Sequence, residues 1–135
     1  MERRFINPLE LSVPTGYSHV VISSAGRTVH VSGQVAFDTT GRIVGAGDLR
    51  AQAMQVYENL KAALVAADAS FADVVKVTTY VVDLSTDKAA VLREIRAQYL
   101  PDGQKPASTM VGVTSLVRPE LLVEVEVIAV LADRR

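Results

Sequence analysis

From Lys105 to Arg135 the chain reads KPASTMVGVTSLVRPELLVEVEVIAVLADRR, and the fold turns on how this stretch is read. Two apolar, β-branched runs, Ser108–Leu116 and Leu121–Leu131, flank a turn at Arg118, Pro119 and Glu120. Two such runs around a Pro-containing turn predict strands joined as a hairpin. Side chains alternate along a strand, so Leu121, Val123, Val125, Val127, Ala129 and Leu131 form one wholly apolar face. The opposite face carries Leu122, Glu124, Glu126, Ile128 and Val130, with the two carboxylates roughly 6.5–7 Å apart. A purely solvated face has no need of Leu122, Ile128 and Val130, so this face is expected to be partly buried. Burial and like charge both favour the neutral acid, and at least one of the two glutamates is expected to titrate high. The plainer reading, two solvated glutamates on an edge strand, stays open at this point.

Outside that stretch, composition sets the bounds. A chain of 135 residues is one domain's worth and enough to build a core. Hydrophobic residues make up 49% but aromatics only 5%, so the apolar surface is mostly aliphatic and in excess of what one small domain hides. That surplus predicts a homo-oligomer. Net charge is −1 with an isoelectric point near 6.1, and the basic residues are scattered, which leaves no electrostatic footprint for nucleic acid. With no cysteine there is neither a disulfide nor a thiolate nucleophile, and two histidines, His19 and His30, do not suggest a dedicated metal site. The start, Met1-Glu2-Arg3-Arg4, lacks an apolar signal core and no run is long enough to span a membrane, so a cytoplasmic location is expected.

Taken in order, Met1–Thr15 reads as irregular, broken by Pro8 and Pro14. Tyr17–Ser24 reads as a strand, Ala25–Arg27 as a turn, and Thr28–Val35 as a strand with a polar face of His30, Ser32 and Gln34. Asp38–Gly41 forms another turn before a short strand at Ile43 and Val44. Asp48 is a good cap for an amphipathic helix reaching about Ala67, with Leu49, Ala53, Val56, Leu60 and Leu64 inward. Val74–Asp83 follows as a long strand. Thr86 or Asp87 then caps a second helix, with Val91, Leu92, Ile95 and Tyr99 inward and Lys88, Arg93, Glu94 and Arg96 outward. Two helices over one face of a mixed sheet make an α+β sandwich. The sheet's other face, with His30, Ser32, Glu124 and Glu126 among aliphatics, needs further copies of the chain to cover it.

Several pieces coincide in order and spacing: Gly16-Tyr17-Ser18-His19, Val31-Ser32-Gly33-Gln34, Gly47-Asp48 with Gln52 and Asn59-Leu60, Asp73-Val74-Val75-Lys76, Val82-Asp83-Leu84, Pro106-Ala107-Ser108, and the run Val123–Ala129. Together they resemble the Rid family of reactive-intermediate deaminases, also called the YjgF/YER057c/UK114 family, over roughly residues 14 to 131. The resemblance implies a chorismate-mutase-like fold, with a mixed six-stranded sheet and two helices on one face, in a single domain over residues 1–135. It also implies a homotrimer with a small-molecule cleft between each pair of subunits. In those clefts imines or enamines such as 2-aminoacrylate are hydrolysed to a 2-oxo acid and ammonia, with no cofactor or metal. No nucleic-acid or membrane partner is expected.

Carried over residue by residue, Tyr17 matches the aromatic of the family's Gly-Pro-Tyr-Ser-Gln motif. Ser32 and Gly33 match its Ser-Gly-Gln strand. Glu126 matches the glutamate credited with holding the attacking water. Ser108 stands where the deaminases have the arginine of a Pro-Ala-Arg motif, which clamps the substrate carboxylate. The family's helix asparagine has no clear counterpart, although Arg93 falls nearby. A hydroxyl cannot replace a planar bidentate guanidinium, so ordinary 2-imino acids are expected to be poor substrates and Ser108→Arg to improve them. Glu126 suits proton transfer to and from water, and Thr109 or Tyr17 can hold the water or the developing amine. Arg118 sits in the turn at the far end of the expected hairpin from Ser108 and is discounted as a substitute clamp. His19 is expected to be a structural, hydrogen-bonded residue. Two function classes stay open: an imine or enamine hydrolase, and a trimer that binds or senses a small metabolite without turnover.

Overall fold

The computed structural model describes residues 2–24 and 26–132. Its strands are β1 (Arg3–Ile6), β2 (Val20–Ser23), β3 (Arg27–Gln34), β4 (Val74–Val82), β5 (Ala107–Val113) and β6 (Val123–Leu131), and its helices are α1 (Leu49–Ala66) and α2 (Thr86–Tyr99). The architecture is α+β, two helices packed against a mixed sheet of six strands. The six strands divide into a two-stranded ladder, β1-β2, and a four-stranded ladder in the order β3-β6-β4-β5.

That order overturns the hairpin. β5 and β6 are not neighbours: β4 lies between them, antiparallel to β6 and parallel to β5. The connection from Thr114 to Leu122 carries the chain across the end of β4, where Val82 N donates to Leu122 O at 3.0 Å. The physical reason lies in the two strands' compositions. β6 is apolar on one face and half apolar on the other, which suits a central position with a ladder on both sides. β5, with Ser108, Thr109 and Gly112, suits an edge. Alternation shows which face is buried and is silent about which strand lies alongside.

The odd-numbered side chains of β6 do form the centre of the core. Val123, Val125, Val127 and Ala129 pack with Val77 and Val81 of β4 under Val56, Leu60 and Leu64 of α1 and Ile95 of α2, all essentially inaccessible. Asp48 caps α1 as expected, accepting from Ala51 N at 3.1 Å. The α2 cap is Ser85, one residue before Thr86, and Asp87 falls in the first helical turn, where its charge favours the helix N-terminus.

Two further expectations shift. Ile43 makes only an isolated bridge to Phe37. Arg3–Ile6, expected to be irregular, is a strand whose Arg3 guanidinium reaches Ala72 O, Val130 O and Asp73 Oδ1 at 3.0, 2.8 and 3.1 Å. Those ties come from more than sixty residues away, and no local pattern shows them. The expected Ala25–Arg27 turn includes Ala25, which lies outside the described residues.

Candidate functional site

The even-numbered face of β6 looks away from the helices, and in register it brings several candidate residues together. Thr109 pairs with Thr78, and Thr78 with Glu126, while Tyr80 lies beside Glu124. The Tyr80 hydroxyl donates to Glu126 Oε1 at 2.6 Å, which fixes one carboxylate oxygen. Lys76 Nζ donates to Thr109 Oγ1 at 2.7 Å. On β3 the register slips between Val31 and Gln34, so Ser32 and Gly33 form a bulge facing this cluster. Gly33 is required there by close approach: a Cβ would fall 2.0 Å from Glu124 Oε2.

Burial, and after it the charge of Glu126, pushes the Glu124 carboxyl above the ordinary glutamate range. An acid with a raised folded-state pKa binds protons more tightly folded than unfolded, so it weakens the fold as pH rises through that window. Glu124→Gln should therefore raise the thermal midpoint at pH 7.5. The gain should shrink on acidification and vanish below the ordinary glutamate value of 4.5. Scanning calorimetry at both pH values checks this, and a gain of equal size at both would contradict the assignment. The Tyr80 hydroxyl is likewise held protonated above its ordinary range, chiefly by its bond to Glu126.

Ser108 and Tyr17 lie elsewhere. Ser108 pairs with Val77, on the helix side of the sheet, so it and Thr109 look to opposite faces. A pocket of about 380 Å³ opens there between β5, α2 and the loop before β2, with Tyr17, Arg93, Arg96, Ser108 and Met110 in its walls. The loop is anchored by Ser18 N donating to Pro106 O at 2.9 Å. Its Gly16 has φ +75° and leaves only 3.1 Å between a notional Cβ and Arg96 Nη2, so glycine serves both conformation and space. His19 ties the same loop down. Its backbone N–H donates to Asn7 Oδ1 at 2.7 Å and its Nε2 lies 2.7 Å from Ser12 O. That fits the structural role expected for it.

Arg96 contradicts its expected outward placement: it is only 5% exposed, and its Nη1 donates to Ser108 Oγ at 3.0 Å. The reason is positional. On α2 it stands one turn from Leu92 and from Leu100, both buried, so its stem lies along the apolar stripe and carries the charged head to the sheet. Arg96 and Tyr80 are the two site residues that sequence reasoning missed. The spacing of Arg96 from Leu92 and Leu100 was a usable signal, whereas Tyr80 becomes visible only once β4 is known to lie beside β6.

Comparison with known proteins decides the family. The family model described as Endoribonuclease L-PSP matches residues 9–131. A protein of the conserved Rid family from Yersinia pestis, YyfB, superposes with a TM-score of 0.87 at 45% identity, covering 97% of this chain and 100% of that one. The chain belongs to the Rid family. RidA of the Antarctic bacterium Psychrobacter sp. PAMC 21119 is also similar, with a TM-score of 0.69 at 34% identity over 89% of this chain and 92% of its own. A RutC family protein of Pyrococcus horikoshii is 40% identical over 114 residues, which is 84% of this chain and 85% of that protein. Ser108, expected from the sequence to stand in place of the family's arginine, has Arg96 of α2 beside it, 3.0 Å from its hydroxyl. An arginine introduced at 108 would meet that guanidinium, so the gain expected from Ser108→Arg depends on what Arg96 does.

Proposed function

We propose that this Rid-family chain assembles as a homotrimer and hydrolyses small imines or enamines in clefts between subunits, with Glu126 as the proton-transferring group. The observation that carries this reading is the Tyr80–Glu126 pair on a half-buried sheet face, with the Tyr17–Ser108 pocket on the other side of the same sheet. In one chain these groups look away from each other. A cleft holding both needs one copy to supply Glu126, Ser32, Gly33 and Thr109 and the next to supply Tyr17 and Ser108. The open face also presents Leu122, Ile128 and the 39%-exposed Val111, aliphatic surface that a second copy would cover.

The chemistry is a hydrolysis. Water adds to the C=N carbon, and the free Glu126 oxygen accepts its proton and returns it to nitrogen. The carbinolamine then collapses, releasing ammonia and leaving the carbonyl compound. Tyr80 keeps the carboxylate aimed throughout. Thr109 or the Gly33 backbone is placed to hold the water or the developing amine. An enamine reaches the same course after protonation at carbon. An endoribonuclease reading finds no support in the charge of the chain, −1 overall, with no basic stripe in its sequence.

The test is release of 2-oxobutanoate from 2-iminobutanoate, formed in situ from threonine by a dehydratase, in competition with semicarbazide, alongside sedimentation at micromolar concentration. Ser108 alone predicts poor activity on this 2-imino acid; with Arg96 beside it, the expected results are turnover above the uncatalysed rate and the mass of a trimer. A monomer, or no acceleration across several imines, would refute the proposal.

A further inference from the structure

We propose that Arg96, projecting from α2 rather than from β5, is the anion-binding group of the Tyr17–Ser108 pocket, and that the ligand it selects carries a carboxylate. This rests on the cleft reading above and names its substrate class.

A guanidinium stays charged at any ordinary pH, and burying it without a counter-charge is costly. The other arginines in ion pairs each face a carboxylate: Arg3 Asp73, Arg50 Glu94 and Arg118 Glu120, at 3.1, 2.9 and 3.5 Å. Arg96 is the most deeply buried of them, yet among the described residues no carboxylate lies within ion-pair distance of it. The side-chain hydrogen-bond partner of its guanidinium is the neutral Ser108 hydroxyl, and a second cation, Arg93, lies close enough to oppose its charge. Both arginines line the same pocket.

Such a cavity lacks one negative charge. Ser108 engages one edge of the guanidinium and holds its plane, and the remaining N–H groups form a fork that matches a carboxylate. Gly16 keeps the space beside Nη2 clear. Tyr17 and Met110 offer walls for a short carbon chain, and Arg93, exposed at the rim, adds attraction for the anion.

The probe is 2-oxobutanoate, with neutral 2-oxobutanamide as its near-isostere, titrated calorimetrically into the wild-type trimer and into Arg96→Gln and Arg96→Lys. Arg96→Gln should weaken 2-oxobutanoate on the order of ten- to a hundredfold and leave 2-oxobutanamide unchanged. Arg96→Lys should restore only part of the loss. If Arg96→Gln fails to fold, the wild type still decides the matter: 2-oxobutanoate, and not 2-oxobutanamide, should shift the Arg96 Nε–H resonance. The proposal is overturned if the wild type binds no 2-oxobutanoate, if the variant binds it equally well, or if that resonance stays still on saturation. Arg96-dependent binding without turnover would sink the hydrolase reading alone. Turnover of 2-iminobutanoate with an unchanged KM in Arg96→Gln would sink this inference alone.

Discussion

Glu126→Gln removes turnover while leaving the fold standing. The expected fall in kcat is on the order of 10²- to 10⁴-fold, the range associated with a positioned general acid–base group. Glutamine has nearly the same shape, and its carbonyl oxygen can still accept the Tyr80 hydroxyl that now meets Glu126 at 2.6 Å. It cannot take a proton from water. The substitution also removes the like charge beside Glu124, one of the two causes that push that carboxyl up, so the thermal midpoint should hold or rise slightly. Steady-state release of 2-oxobutanoate and a thermal melt on the same preparation check both halves. A variant with wild-type kcat would show that Glu126 is not the proton-transferring group.

The second large effect concerns stability and arises at Gln52, which is fully buried. Its side-chain amide closes three backbone groups at once. Oε1 accepts from Leu122 N at 2.8 Å, and Nε2 donates to Gly45 O at 3.1 Å and Glu120 O at 2.9 Å. One residue of α1 thereby pins both the turn before the helix and the chain leading into β6. Gln52→Leu keeps the volume and leaves those groups without partners. At about 1–3 kcal/mol for each buried group left unsatisfied, the loss should be on the order of 3–5 kcal/mol. For a domain of this size that lowers the thermal midpoint by roughly 10 °C or more. Denaturant unfolding followed by circular dichroism measures it, and a loss under about 1 kcal/mol would mean that water reaches these groups. Because the same bond holds Leu122, just before Glu124 and Glu126, activity should fall along with stability.

Much of this could be read locally. Alternation in Val123–Leu131 marks the core face correctly, and Asp48 announces its helix, because period and capping are properties of neighbouring residues. What failed was long-range. The Pro119 turn suggested a hairpin because short connections favour adjacent strands, and only competition for the sheet's centre moves β4 between β5 and β6. The candidate site suffered from the same limit. Ser108 and Thr109 are adjacent in sequence, yet the pleat sends them to opposite faces. Tyr80 reaches Glu126 across a ladder that no pattern within β4 announces. Arg96 looked like an ordinary exposed helix cation, although its spacing from Leu92 and Leu100 already placed it at the edge of the buried stripe.

The central claim is that one catalytic centre is built from two copies, and mixing impaired subunits tests it most directly. Glu126→Gln and Arg96→Gln chains, each strongly impaired alone at 2-iminobutanoate well below the wild-type KM, would be combined in equal amounts, dissociated and reassembled. With random assortment in a trimer, a cleft is intact when one copy brings Arg96 and the next brings Glu126, which occurs in about a quarter of clefts. The account predicts recovery of roughly a quarter of wild-type activity. Activity no greater than the sum of the two parents, in samples shown by mass spectrometry to contain mixed trimers, would contradict it.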